Sequence, residues 1–192
     1  VMTAICVFCG SSPGRQTGYL QAAIRLGELF AERGIALVYG GGNIGMMGAV
    51  ADSCMAAGGK VIGVIPRALM EKEHGHTGIS RLEVVSTMHE RKARMASLSD
   101  GFLALPGGIG TFEELFEVLT WSQLGIHCKP VGLVNVLGFF NPLVALLDQA
   151  VNEGFLRAQH RDLLLVSDSS EGAIDAMLAS LGGEGSTDLV QI

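Results

Sequence analysis

The chain has 192 residues and a formal net charge of −6, from 13 Lys and Arg against 19 Asp and Glu. This length favours one domain, and 48% hydrophobic with only 17% charged residues excludes a wholly disordered chain. The chain lacks the excess of basic residues that nucleic-acid binding needs, and no apolar run reaches the roughly 18 residues of a membrane span. We therefore expect neither nucleic acid nor membrane as a partner.

Four cysteines, Cys6, Cys9, Cys54 and Cys128, are too few in a chain of this length to suggest a disulfide scaffold. Cys6 and Cys9 lie three positions apart in an apolar run that reads as a strand. Their side chains should therefore face opposite sides of the sheet and share neither a metal nor a disulfide. No charged segment followed by an apolar stretch indicates a signal peptide. These features predict buried thiols and a cytoplasmic location.

Short apolar runs alternate with longer amphipathic stretches along the chain. The predicted strands cover residues 3–9, 35–39, 61–65, 82–85, 102–105, 131–134 and 163–166. The predicted helices cover residues 19–33, 88–98, 111–123, 142–152 and 172–181, with a further helix ending near residue 57. Residues 67–80 are expected to form a surface loop with at most a short helix.

Apolar strands that are each followed by a helix are typical of a parallel sheet buried on both faces. The sequence therefore predicts an α/β fold, a Rossmann-like doubly wound parallel sheet, as a single domain over residues 1–181. Residues 182–192 are small and polar and are predicted to be a flexible tail. In such a fold, ligands bind outside the carboxyl ends of the strands.

Three strand-to-helix junctions are rich in small residues, and the first of them holds Gly10 and Ser11. The second reads GGGNIG over residues 40–45 and matches G-x-G-x-x-G. Glycines there let backbone N–H groups approach a phosphate at a helix N-terminus; close helix–sheet packing is the alternative. The acidic residue that dinucleotide-binding proteins carry after the next strand is missing, because residues 65–67 read IPR. An NAD(P) oxidoreductase is therefore disfavoured.

The third junction reads PGGIGTFEE over residues 106–114 and is the most informative. A proline, three glycines and Thr111 as the candidate N-cap form an anion-binding turn at the start of a helix. Two carboxylates, Glu113 and Glu114, follow directly. Thr111 and Glu114 also have the spacing of a capping box. A carboxylate beside an anion site nevertheless points to acid–base work or to stabilisation of a developing cation.

Basic side chains cluster in the predicted helix that begins MHERKARM at residue 88. Arg91 and Lys92 are adjacent, and Arg94 follows Arg91 by about one helical turn. An exposed helix routinely carries such charges. The position of this helix just before another strand-end loop instead favours contacts with phosphate or ribose.

Two histidines, His74 and His76, lie in the predicted loop, with Glu71 and Glu73 nearby. A metal site would need more ligands that converge there, so we interpret both histidines as solvent-exposed and predict no metal site. The sequence holds no G-x-S-x-G nucleophile elbow, and acyl transfer therefore has no support.

Together, PGGIGTFEE and MHERK resemble the PGGxGTxxE and MHxRK motifs of the LOG ("lonely guy") family, and the likeness extends over about residues 4–181. Members of this family, formerly described as possible lysine decarboxylases, are cytokinin riboside 5′-monophosphate phosphoribohydrolases. The resemblance implies a Rossmann-like homodimer that hydrolyses the N-glycosidic bond of an N6-modified AMP, or of AMP itself. The products are the free base and ribose 5-phosphate, and no cofactor is needed.

The resemblance makes Arg91 and Glu114 the catalytic pair and extends substrate contacts to the residues around them. Breaking the C1′–N9 bond develops positive charge on the ribose, which Glu114 is expected to stabilise, with Glu113 holding ribose hydroxyls or sharing this role. The expected substrate and phosphate contacts are Gly10, Ser11, Gly41, Gly42, Gly45, Glu73, Lys92, Gly107, Gly108, Ile109, Gly110 and Thr111. Two alternatives stay open: a nucleotide-binding or carrier protein without turnover, and a general nucleoside-monophosphate nucleosidase of salvage.

Overall fold

The structure is a computed structural model that describes residues 2–182. Its strands are β1 (Ala4–Phe8), β2 (Ala36–Tyr39), β3 (Val61–Pro66), β4 (Arg81–Val85), β5 (Gly101–Ala104), β6 (Val131–Val134) and β7 (Leu164–Ser167). Its α-helices are α1 (Thr17–Glu32), α2 (Gly45–Ala56), α3 (Met88–Ser97), α4 (Ile109–Gln123), α5 (Asn141–Asn152), α6 (Ala158–Arg161) and α7 (Ser170–Gly182). Two 3-10 turns, Arg67–Leu69 and Val136–Gly138, complete these elements.

The seven strands form one sheet in the order β4-β3-β2-β1-β5-β6-β7, and every neighbouring pair is parallel. The chain builds outward from β1 in one direction and then from β5 in the other, so the strand order reverses between these two strands. Across this switch point the N–H of Gly10 donates to the carbonyl of Pro106 at 3.1 Å. The predicted doubly wound α/β fold is confirmed, and its ligand crevice should open at this edge.

Helices cover both faces of the sheet, and alternate residues of β1 and its continuation point to opposite faces. Ile5, Val7 and Cys9 pack against α1, α2 and α7, whereas Cys6 and Phe8 pack against α3, α4 and α5. This is the period-2 alternation of a strand buried on both sides. The prediction that Cys6 and Cys9 are buried and face opposite sides is confirmed.

The sequence pattern missed α6 and the 3-10 turn Val136–Gly138, because elements of three or four residues are too short to show a helical period. Residues 67–80 contain no α-helix, as expected, but only one 3-10 turn. The predicted tail lies outside the described residues except for Gly182, which ends α7. Within residues 2–182, no helix combines the length and the apolar character needed to cross a membrane.

Candidate active site

A cavity of about 300 Å³ opens at the carboxyl ends of β1 and β2, beside the N-terminus of α4. Its volume lies at the lower end of the range for small-ligand pockets. The cavity brings together the following predicted site residues: Gly10, Ser11, Glu73, Arg91, Gly108, Ile109, Gly110, Thr111, Glu113 and Glu114. Residues of β1, α3, α4 and the segment 67–80 therefore meet in one place.

The α4 helix begins two residues earlier than the sequence predicted. It starts at Ile109 with Gly108 as its extended N-cap, and the N–H of Phe112 donates to the Gly108 carbonyl at 3.1 Å. The prediction of Thr111 as N-cap is wrong, because the flexible glycine lets the helical turn form before it. Thr111 is buried in the first turn, and the N–H groups of Ile109 to Thr111 have no carbonyl within the helix to receive them.

Because α4 starts early, Glu114 lies in its second turn and lines the cavity instead of capping the helix. Its carboxylate accepts no hydrogen bond from the described residues, so the predicted capping box with Thr111 does not form. Burial raises the pKa of Glu114 to about 7, although the charge of Arg91 acts to lower it. The nearby carboxylates of Glu113 and Glu73 raise it further. Glu114 is therefore poised to change its charge near neutral pH.

Arg91 is buried, with 4% of its surface exposed, so the interpretation of the basic cluster as an ordinary exposed helix face fails for this residue. Its Nε donates to the carbonyl of Val64 at 3.1 Å. Its Nη2 donates to the carbonyl of Gly40 at 2.7 Å and to Oε2 of Glu73 at 2.9 Å. Its Nη1 has only a weak contact with Sδ of Met88, at 3.9 Å. The guanidinium is thus held rigidly with one nitrogen left for a ligand.

A second ion-paired cluster lies beside the cavity. The Nζ of Lys92 lies 2.5 Å from Oε1 of Glu113 and 3.0 Å from Oε1 of Glu117. These carboxylates raise the pKa of Lys92, which keeps the amine protonated. Lys92 does not line the cavity, whereas the half-exposed Glu113 does. In this arrangement Lys92 therefore neutralises Glu113 rather than reaching into the cavity itself.

The glycines of the loop 40–45 lie close to other protein atoms rather than to open space. Gly45 has a φ of +57°, and a Cβ there would lie 2.3 Å from the carbonyl carbon of Ser11. A Cβ at Gly42 would lie 3.0 Å from the carbonyl oxygen of Glu73. Gly41, Gly42 and Gly45 do not line the cavity. Their geometry favours the packing interpretation of this motif over direct phosphate contact.

Gly107, in the third junction, behaves in the same way. A Cβ there would lie 2.1 Å from Oγ1 of Thr111 and 2.8 Å from the amide nitrogen of Gly10. Gly107 lines a neighbouring cavity of about 310 Å³ instead, together with Tyr19 and Phe139. It permits the close approach of the two loops at the β1–β5 switch point.

The two histidines of the loop differ, and the prediction that both are exposed is wrong for His76. His74 is exposed, but His76 is 7% exposed and its Nε2 lies 2.8 Å from Oδ1 of Asp52. The loop folds back onto α2, a long-range contact that carries no pattern in the sequence. Among the described residues, no group of three or more His, Cys, Asp and Glu side chains is placed to hold a metal ion.

Some residues of the site were not predicted from the sequence. Gly40, Met47 and Leu69 also line the cavity, although the sequence did not predict them as site residues. A signal does exist for the start of α3, where Oγ1 of Thr87 accepts from the N–H of Glu90 at 3.1 Å. This T-x-x-E spacing is the capping-box pattern, and it sets the register that turns Arg91 inward.

Comparison with known proteins decides the family of the chain. A family described as "Possible lysine decarboxylase" matches residues 47–177. A probable cytokinin riboside 5′-monophosphate phosphoribohydrolase of Oryza sativa subsp. japonica, LOGL1, is 53% identical over 161 residues, which cover 84% of this chain and 72% of that protein. The chain belongs to the LOG family. A second relative, LOG1 of Arabidopsis thaliana, is 51% identical over 167 residues, or 87% of this LOG chain and 78% of its own.

Solved structures of lower sequence similarity share the fold of this LOG chain. The molybdenum cofactor carrier protein of Chlamydomonas reinhardtii has a TM-score of 0.70 at 24% identity, over 94% of this chain and 99% of that one. At this identity the likeness concerns the fold alone, because one fold supports many unrelated functions.

Proposed function

We propose that this chain hydrolyses the N-glycosidic bond of cytokinin riboside 5′-monophosphates and of AMP, and releases the free base and ribose 5-phosphate. The observation that carries the proposal is the pairing of Glu114, whose pKa is raised to about 7, with the fixed guanidinium of Arg91 in one cavity. The names of its close LOG relatives supply the reaction. A protein that only carries nucleotides has no need of a carboxylate at an anion site.

The 5′-phosphate is assigned to the N-terminus of α4. Ile109, Gly110 and Thr111 line the cavity, and their N–H groups lie in the first turn of α4, where they have no partners within the helix. The helix dipole also places partial positive charge there. Ser11 faces the same cavity and adds a hydroxyl donor. Release of base from monophosphates, but not from ribosides, is expected from this arrangement.

The reaction breaks the C1′–N9 bond, forms a bond between C1′ and the oxygen of water, and leaves the proton of that water with the departing base. Positive charge develops on the ribose as the bond breaks. The ionised carboxylate of Glu114 stabilises this charge or accepts the proton of the attacking water. Arg91 favours the ionised form of Glu114 and offers its Nη1 to the substrate. Glu113 and Lys92 are assigned to the rim, where the ion pair borders the ribose.

The alternative suggested by the family's description, a lysine decarboxylase, finds no support in the lysines of the chain. Decarboxylation on pyridoxal phosphate needs a lysine that forms a Schiff base inside a pocket. Lys60 and Lys72 are exposed, and Lys129 donates to the carbonyl of Ala96 at 2.8 Å. Lys92 is held by two carboxylates that keep it protonated.

A homodimer and a cytoplasmic location are part of the proposal. Large apolar side chains such as Phe155, which is 90% exposed, and Leu146, which is 65% exposed, give the chain surface that a second copy could cover. The buried free thiols of Cys6, Cys9 and Cys54 suit a reducing compartment. Light scattering after size-exclusion chromatography measures the assembly.

The test of the proposed function is a chromatographic search for free base. The protein is incubated with AMP, with isopentenyladenosine 5′-monophosphate and with the two ribosides that lack phosphate. Base released from the monophosphates alone supports the proposal, and faster release from the prenylated one assigns the chain to cytokinin activation. Equal rates favour nucleotide salvage. AMP that binds but yields no base contradicts the proposal and favours a carrier.

A further inference from the structure

Residues 67–78, which we name the roof segment, connect β3 to β4 and cover one side of the cavity. Leu69 and Glu73 from this segment line the cavity, and Oε2 of Glu73 bonds Nη2 of Arg91 at 2.9 Å. Beyond the 3-10 turn Arg67–Leu69 the segment has no regular helix or strand. Its position must therefore be fixed by a few individual contacts.

The backbone of the roof segment is joined to the loop 40–45. The N–H of Asn43 donates to the carbonyl of Glu73 at 3.1 Å, and the N–H of His76 donates to the carbonyl of Gly41 at 2.8 Å. An antiparallel bridge pairs Gly42 with Gly75 between them. These contacts hold the segment along one edge. Two side chains add to them: Glu73, which is bonded to Arg91, and His76, which is bonded to Asp52.

The imidazole of His76 is buried although the residues on either side of Gly75 and His76 are largely exposed. The N–H of Gly78 donates to its Nδ1 at 3.2 Å, so Nδ1 carries no proton. Its Nε2 must then carry the proton and donate it to Oδ1 of Asp52, at 2.8 Å. This hydrogen bond joins the roof segment to α2, the helix that follows the loop 40–45.

We propose that His76 and Asp52 form a positioning pair, which holds the roof segment so that Glu73 orients Arg91 and Leu69 closes the cavity over the substrate. Neither His76 nor Asp52 lines the cavity, so both act through the segment and not on the reacting atoms. The kinetic consequence of this proposal, a change in the KM for AMP, rests on the proposed function. Its structural consequence, the fixed roof segment, is independent of any substrate.

The proposal is tested with His76→Ala, Asp52→Ala and the double variant. Each single variant should raise the KM for AMP about tenfold and leave kcat within about twofold, because the cavity loses its cover while the carbonyls of Val64 and Gly40 still hold Arg91. The double variant should match the single ones, since both remove the same bond. Asp52→Asn keeps an oxygen acceptor for Nε2–H and should restore a KM within about twofold of the unaltered chain. The matched control is His74→Asn, which removes the exposed neighbour and keeps a residue that tolerates its φ of +47°.

Amide hydrogen exchange of the substrate-free protein provides the second readout. In His76→Ala the amides of Asn43 and of position 76 should exchange at least tenfold faster, while those in the middle of α1 keep their rates. Unchanged exchange at these two amides, or a lower kcat with an unchanged KM, would overturn the proposal and leave His76 with a merely structural role. Failure of the unaltered chain to hydrolyse AMP counts against the proposed function alone, because the exchange comparison needs no substrate.

Discussion

The chain has two glycine-rich loops that look alike in sequence and differ in what their glycines do. In the loop 40–45, a Cβ at Gly45 or Gly42 would meet backbone atoms of Ser11 or Glu73 at 3.0 Å or less. In the loop 106–111, a Cβ at Gly108 or Gly110 would meet no atom within 4 Å, and both glycines line the cavity. Protein atoms fill the space beside Gly42 and Gly45 of the first loop, whereas the space beside Gly108 and Gly110 of the second loop is open.

The space beside each glycine shows how a phosphate-binding pattern in a sequence should be interpreted. A G-x-G-x-x-G run satisfies both close packing and anion binding, since both need backbone without side chains. What separates them is whether the space beside the glycine is filled by protein. The second loop is also followed by a carboxylate with a raised pKa, Glu114, and the first is not. Three sets of substitutions sharpen this contrast.

The largest effect on activity is expected at the carboxylate that follows the open loop. Glu114→Gln should lower kcat for AMP by about 100-fold or more, because it removes the charge that faces the developing cation. The KM should change by less than about threefold. Glu113→Gln is the matched control at the adjacent position. Since Glu113 is half-exposed and paired with Lys92, the kcat of the Glu113→Gln variant should fall by less than about tenfold. Equal losses in the two variants would contradict the assignment.

The same variant tests the raised pKa through protein stability. The folded-state pKa of Glu114, about 7, lies above the ordinary value of 4.5, so the folded chain binds the proton more tightly than the unfolded one. The contribution of this group to stability is therefore present below pH 4.5 and is lost as the pH rises through about 7. Glu114→Gln should be more stable than the unaltered chain at pH 8 and about equally stable at pH 4. Urea unfolding at both values measures this, and a lower stability at pH 8 would contradict the burial of the charge.

The packed loop is tested by Gly45→Ala. The new methyl would clash with Ser11 and force alanine to a φ of +57°, and the cost should be about 2–4 kcal/mol of unfolding free energy. Gly58→Ala is the matched control, because Gly58 has a φ of +81° but no atom within 4 Å of a Cβ. The control should lose only about 1–2 kcal/mol in the same urea titration. Equal losses in the two variants would show that backbone strain, and not packing against Ser11, explains the need for glycine at position 45.

The open loop is tested by Gly110→Ala, for which the smallest effect on folding is expected. The residue lies in the first turn of α4 with free space around a Cβ, so stability should be unchanged or higher by up to about 1 kcal/mol. The KM for AMP should rise about tenfold, because the methyl enters the space assigned to the phosphate. An unchanged KM would contradict the assignment of the 5′-phosphate to the N-terminus of α4.

The fold was largely predictable from the sequence, whereas the site was predictable only in part. Strands as apolar as β1 and β5 are typical of a parallel sheet with helices on both faces. The motifs around Arg91 and Glu114 identified the family from the chain alone. The start of α4 was misplaced, since Gly108 and Thr111 are both acceptable N-caps and only the packing of the loop chooses between them.

Residue type and local spacing were enough to predict the alternation of strands and helices, the family and a candidate catalytic pair. The packing of the folded chain was needed to show which glycines face a cavity, that His76 is buried against Asp52, and that Lys92 is paired with Glu113 and Glu117. Each of these depends on contacts between residues that are far apart in the chain. The raised pKa of Glu114 also depends on tertiary structure, because its burial and the charges of Arg91 and Glu73 beside it arise only when distant elements pack together.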